Sequence, residues 1–234
     1  MFSSKLWTPI SGGITAPNGF RASGIRANLK ESGKPDLALL VAPEGAICSG
    51  TFTQSVIRAS CIDICRQRLK NNFGRARAVV INSGQANACT GKRGLEDSLR
   101  ITNTLAGLLN LKDEEILISS TGVIGEPIPM TSLLNGLDSL VNELSLNGGP
   151  KAASAILTTD LVDKQIAFEA LLGDQLVRIG GMAKGSGMIH PDMATMLGFF
   201  SCDTSLPQDV WSAMLVKAID LSFNSITVDG DTST

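Results

Sequence analysis

The chain has 234 residues, 43% of them hydrophobic and 18% charged, with a formal net charge of −2 from 20 basic and 22 acidic side chains. That composition excludes a disordered chain and allows one large or two small domains with a real core. It supplies no basic excess for nucleic acid, and with 4% aromatics and no tyrosine it is poor in stacking platforms for bases.

Five cysteines (Cys48, Cys61, Cys65, Cys89 and Cys202) and one histidine, His190, argue against a Cys/His zinc site. They read as reduced, mostly buried thiols of a cytoplasmic protein. The first 13 residues, MFSSKLWTPISGG, lack the apolar core of a signal peptide. No run reaches the roughly 18 apolar residues of a membrane span.

In chain order, residues 37–42 (LALLVA) read as a buried strand. Residues 61–70 put Ile62, Cys65 and Leu69 on one face of a short helix. A strand at 76–81 runs into Asn82, Ser83 and Gly84, where a tight loop of small and amide residues begins and continues to Gly91. Residues 95–109 carry Leu95, Leu99, Leu105, Ala106 and Leu109 at helical spacing. A strand at 116–118 ends in Ser119-Ser120-Thr121-Gly122, and 133–144 is a second amphipathic helix through Leu137, Leu140, Val141 and Leu144. Residues 165–171 and 176–179 form a hairpin around Gly173-Asp174, followed by a glycine-rich loop at 180–187 and an apolar strand at 193–200. Ser205 to Gln208 resembles a capping box opening a helix with Val210, Met214, Ala218 and Leu221. A last strand at 225–228 precedes Asp229-Gly230-Asp231. Mixed hairpins and alternating helices favour a layered α+β or α/β fold over a purely parallel sheet.

Few constellations carry chemistry. A Ser-His-Asp triad would have to use His190, whose simpler reading is a loop histidine. Lys184 sits among glycines, but its order with Gly185 and Ser186 is not that of a phosphate loop. It reads either as a solvated lysine or as a cation held against a carboxylate or acyl group. Asp229-Gly230-Asp231-Thr232 superficially matches the aspartate pair of haloacid-dehalogenase-type phosphatases, and a polar turn is the simpler reading. Cys89 has no histidine near it in sequence and no evident activating charge. The turn at Thr121-Gly122 has the make-up of an oxyanion hole.

Thr195, in Met193-Ala194-Thr195-Met196, is either a β-branched strand residue or a nucleophile. In the second reading its hydroxyl attacks the Ala194 carbonyl, an N-to-O acyl shift follows, and hydrolysis frees Thr195 as a new N-terminus. Its α-amine, with an ordinary pKa of about 7.7–8.0, then serves as base for the adjacent hydroxyl.

The segments ITAPNGFR (14–21), GKPDLAL (33–39), NSGQANACTG (82–91), STGVIG (120–125), GMAKGSGMI (181–189), MATMLG (193–198) and NSITVDGDTST (224–234) are, in order, similar to the ornithine acetyltransferase family. These are the bifunctional glutamate N-acetyltransferases of arginine biosynthesis. The resemblance implies an α+β fold, a layered α/β/β/α sandwich. It implies acetyl transfer from N2-acetylornithine to glutamate, with acetyl-CoA as a possible donor, through an acetyl-Thr195 ester. Carried over by motif, Ala194–Thr195 is the cleaved bond, Thr121 and Gly122 the oxyanion-hole pair, and Thr158, Lys184 and Thr195 contact substrate. Residues 1–194 match the family's α chain and 195–234 the start of its β chain, which pair into heterotetramers. No metal, other cofactor, nucleic acid or membrane is implied. Gln85 departs from an expected asparagine. The end at Thr234, directly after a strand and turn, reads as a C-terminal truncation that removes pocket residues. The alternatives are an N-terminal-nucleophile aminopeptidase of related fold and an inactive truncated chain.

Overall fold

Residues 37–41 are apolar at every position, and all five are buried: a strand with hydrophobic partners on both faces. In the computed structural model, which describes residues 6–190 and 196–231, this strand (β3, Leu37–Val41) pairs antiparallel with β2 (Arg21–Ile25) and with β4 (Ala78–Gln85). The strand β5 (Ile116–Val123) then adds parallel to β4, giving the order β2-β3-β4-β5. Parallel neighbours need a crossover, supplied by α2 (Gly91–Leu109).

Successive residues of β3 face opposite ways. Leu37, Leu39 and Val41 join a core with α1 (Ser60–Asn71), α2 and α3 (Met130–Asn142). Ala38 and Leu40 join a second core on the other side. There they meet the small residues Ala152, Ala153 and Ala155 of α4 (Gly149–Ala155) and Met182 of a second sheet. That sheet is antiparallel, ordered β1-β6-β7-β8, from β1 (Thr8–Ile10), β6 (Lys164–Leu172), β7 (Gln175–Lys184) and β8 (Leu197–Cys202). The result is the layered α+β sandwich that the resemblance implies: helices, sheet, sheet, with α4 wedged between the sheets.

Several elements differ from the sequence expectation. The amide loop at 82–91 begins as strand: β4 runs on to Gln85, because β5 lies alongside and takes up its backbone groups. The glycine-rich loop at 180–187 is likewise β7 as far as Lys184, paired on both edges, to β6 and β8. On α2, Leu95 and Leu99 face solvent, while Ser98, Ile101, Thr102 and Leu105 are buried. The final helix, α5 (Gln208–Asp220), starts at Pro207 without a side-chain cap, so no capping box forms at Ser205. Its expected stripe is largely exposed, at Val210, Met214 and Leu221. The expected strand at 225–228 does not form: a 3-10 turn at Phe223–Ser225 leads into irregular chain. Part of the strand expected at 193–200, residues 193–195, lies outside the described residues. The short β1, the polar-edged β2 and the alanine-rich α4 carry too little periodic signal to read from sequence.

Candidate active site

The parallel pairing of β4 with β5 sets Ser83 opposite Thr121 and Gly84 opposite Gly122. Side-chain bonds hold this end of the sheet. Ser120 Oγ donates to Asn82 Oδ1 at 2.6 Å, and Asn82 Nδ2 donates to the Gln85 carbonyl at 2.9 Å. Ser83 Oγ donates to the Ala155 carbonyl at 2.5 Å, tying β4 to α4. Gly122 has φ +133, and a Cβ there would run into the Gly84 carbonyl. Only glycine allows both that backbone conformation and that approach.

From the other sheet, Lys184 at the end of β7 reaches across. Its side chain is buried, and Nζ donates to Thr121 Oγ1 at 3.1 Å. Burial pushes the Lys184 pKa down; the nearby Asp160 carboxylate pulls it back up, and Lys164 lowers it further. With its oxygen accepting from the ammonium, the Thr121 hydroxyl is left to point its own hydrogen elsewhere. A hydroxyl polarised in this way is a stronger donor to a developing oxyanion.

Asp160 anchors the same corner. Its Oδ1 accepts from Lys164 Nζ at 2.5 Å and from the Gly185 amide at 2.8 Å. Burial alone pushes its carboxyl up, but these bonds outweigh burial and hold it below the ordinary aspartate value. Lys30 Nζ donates to the Leu157 carbonyl at 2.6 Å and the Pro35 carbonyl at 2.9 Å. Burial pushes its pKa down, partly offset by Asp36.

Thr121, Gly122, Thr158, Lys184 and Lys30 all line one cavity of about 1500 Å³. Four of the residues singled out from sequence thus come together from β5, β7 and the segment after α4. Ala194 and Thr195 lie outside the described residues; Met196, next in the chain, lines this cavity.

Other candidates have structural duties. Asn87 Nδ2 donates to the Gly94 carbonyl and to Ser98 Oγ, both at 2.9 Å, so the amide run satisfies backbone and helix groups. Cys89 is exposed. His190 is an exposed residue of the cavity rim. Asp229 accepts from the Met188 amide at 2.6 Å and the Ile189 amide at 3.0 Å, and these bonds, that of Met188 first, hold its carboxyl below the ordinary value. It tethers a turn, as the simpler reading expects. Sequence reasoning missed Asp160 and Lys30. Neither sits in a recognisable pattern; only the two hydroxyls before Asp160, Thr158 and Thr159, mark its neighbourhood as polar.

These features define a class: a layered α+β sandwich whose two sheets bring a hydroxyl–glycine turn and a buried lysine into one cavity. Residues 21–234 match the ArgJ family. The chain is 64% identical over 233 residues to an arginine biosynthesis bifunctional protein ArgJ of Prochlorococcus marinus, covering 100% of this chain and 56% of the relative. It is 66% identical over 228 residues to that of Parasynechococcus marenigrum, covering 97% of this chain and 56% of the relative. Among solved structures, ArgJ of Bacillus halodurans matches with TM-score 0.74 at 34% identity, over 80% of this chain and 98% of that one. Ornithine acetyltransferase of Mycobacterium tuberculosis in complex with ornithine matches with TM-score 0.73 at 38% identity, over 82% of this chain and 100% of that one. The chain belongs to the ArgJ family, whose named members are bifunctional arginine-biosynthesis proteins. It spans about half the length of the curated relatives it matches. The aminopeptidase alternative finds no support in these comparisons. Among the described residues, no helix is long and apolar enough to cross a membrane.

Proposed function

We propose that the chain carries the nucleophile half of an acetyltransferase that moves the acetyl group of N2-acetylornithine to glutamate, with acetyl-CoA as an alternative donor, in the cytoplasm. The observation that supports this best is the meeting of Thr121, Gly122, Thr158 and Lys184 in one cavity whose lining continues at Met196. First, Thr195 Oγ attacks the Ala194 carbonyl carbon, the peptide C–N bond breaks as the nitrogen takes a proton, and an ester forms. Water hydrolyses the ester, leaving an Ala194 carboxylate and a free Thr195 α-amine. That amine accepts the hydroxyl proton as Thr195 Oγ attacks the acetyl carbonyl of acetylornithine. Ornithine leaves with a proton on its amine, and an acetyl-Thr195 ester remains. The glutamate amine attacks the ester, and N-acetylglutamate departs as Thr195 regains its proton.

In each tetrahedral species the oxyanion faces the Thr121–Gly122 turn. Lys184 and Thr158 receive the amino-acid carboxylate. Residues 1–194 and 195–234 belong to the two chains made by cleavage, and these assemble as a heterotetramer of two α and two β chains. No metal or further cofactor takes part.

The test is intact mass and a denaturing gel of the purified chain. Fragments ending at Ala194 and starting at Thr195, lost in Thr195→Ala, support the reading; a single uncut species in the wild type overturns it for this chain. Transfer is read by exchange of label between acetylornithine and isotopic glutamate. His190→Ala should leave cleavage intact, since the acyl shift passes the Thr195 hydroxyl proton to the peptide nitrogen it releases and needs no imidazole; a folded His190→Ala chain that does not cleave would show otherwise.

A further inference from the structure

The ends of β6 and β7 carry a polar assembly that the acetyl-transfer scheme does not use. Their antiparallel register sets Lys164 opposite Ala183, next to Lys184. Asp160, four residues before Lys164, spans the two strand ends: Oδ1 accepts hydrogen bonds from Lys164 Nζ at 2.5 Å and from the Gly185 amide at 2.8 Å. The Asp160 side chain is 0% exposed, and its other oxygen, Oδ2, has no hydrogen-bond partner among the described residues. A buried carboxylate in that state is costly unless positive charge faces it. Lys164, to which it is bonded, is 45% exposed on its side chain, so water screens its charge. Lys184 precedes Gly185, the residue whose amide Asp160 holds; it is buried, and the Asp160 charge raises its proton affinity without a direct ion pair between them among the described residues.

We propose that Asp160 is the positioning residue of Lys184. Its carboxylate fixes the Gly185 end of β7 through the amide bond, and so the direction from which Lys184 meets Thr121. It also supplies the buried counter-charge against which Lys184 stays an ammonium. The groups facing Lys184 are Thr121 from β5, Asp160 and Lys164 from the start of β6, and Lys30 from the segment after β2. Two of the four groups are cations and Thr121 is a neutral acceptor, so Asp160 supplies the negative charge among them. The assignment deepens the acetyl-transfer reading and rests on it only for its catalytic consequence.

The experiment is a side-chain NMR titration of the 234-residue chain labelled at lysine, with the Lys184 signal identified by its loss in Lys184→Met. Asp160→Asn keeps an oxygen for the Gly185 amide and removes the charge. The Lys184 midpoint should fall by about one pH unit, a tenfold loss of proton affinity, while exchange of the Gly185 amide stays as in the wild type. Asp160→Ala removes both, so the midpoint falls and Gly185 exchange speeds up about tenfold or more. Lys164→Met removes a competing cation and should raise the midpoint. An unmoved Lys184 midpoint in a folded Asp160→Asn chain overturns the assignment. If both Asp160 variants fail to fold, Lys164→Met decides, and a midpoint that does not rise overturns it. These readouts come from Lys184 itself. Loss of acetyl exchange with the expected titration would therefore count against the acetyl-transfer reading, not against Asp160.

Discussion

Lys184 is 3% exposed, and burial works against its charge. Lys184→Met takes away the donor to Thr121 Oγ1 and the buried positive charge beside Asp160, so it should cost about 1–3 kcal/mol. Urea unfolding of the two chains measures the loss; an unchanged midpoint would show that Lys164 and solvent suffice for the Asp160 carboxylate. Gly122 should be costly for a different reason. With φ +133 and the Gly84 carbonyl in the path of any Cβ, Gly122→Ala combines backbone strain with a clash that no side-chain rotation relieves. We expect it to cost more than about 2 kcal/mol, and a smaller shift in urea midpoint would show that the two strands can part. Thr121, Gly122 and Lys184 were legible as candidates because each sits in a segment shared with the family, and Thr158 only through that resemblance. Asp160 was not, because its function depends on the meeting of β6 and β7, which no local pattern records.

At the scale of elements, α1 shows how charge hides a packing role. The apolar spacing of Ile62, Cys65 and Leu69 announces the helix and says nothing of Arg68 beside them. Arg68 is 7% exposed and donates to the Ile116 carbonyl at 2.5 Å and to Thr102 Oγ1 at 3.0 Å, with Asp113 as its ion-pair partner. One guanidinium thus joins α1, α2 and the start of β5. Arg68→Ala leaves a carbonyl and a carboxylate short of donors and should cost about 3 kcal/mol. Arg68→Lys, with a point charge in place of the planar fork, should recover less than half of that. Chemical denaturation of the three chains tests the order, and equal losses for Ala and Lys would assign the effect to size rather than to donors. The same limit explains the other misread elements. Residues 82–85 and 180–184 look like loops because glycine and amides dominate them, yet each is held as strand by neighbours distant in sequence. Leu95 and Leu99 look like core because leucine usually is, while Ser98 and Thr102 take the inward face of α2, where their hydroxyls bond to Gly94 and Leu99 carbonyls.

At the scale of the molecule, the two cores respond to alkali in opposite senses. In the helical layer, burial pushes the Cys61 thiol up to about 12 and the Cys65 thiol up to about 11, from 9.0. Between 9.0 and those values the unfolded chain gives up protons that the native chain keeps, so stability falls as pH rises. In the cavity between the sheets, Lys184 and Lys30 have pKa values below 10.5. There the unfolded chain holds protons that the native chain releases, so stability rises with pH up to 10.5. The total curve mixes both effects, with Cys48 and Cys202, also raised by burial, adding to the first, and removing Cys61 and Cys65 isolates the share of those two thiols. Cys61→Ala/Cys65→Ala loses buried volume and the Cys65 bond to the Ile118 carbonyl, so it starts less stable near neutral pH. Each thiol removed abolishes a linkage of about 1.4 kcal/mol per pH unit. The deficit of the double variant should therefore narrow by about 3 kcal/mol per pH unit above 9.0. Urea midpoints of both chains between about pH 7 and pH 11 decide it. Parallel curves would mean that water reaches the thiols through the layer formed by α1 and β5, and that this core opens before the sandwich does.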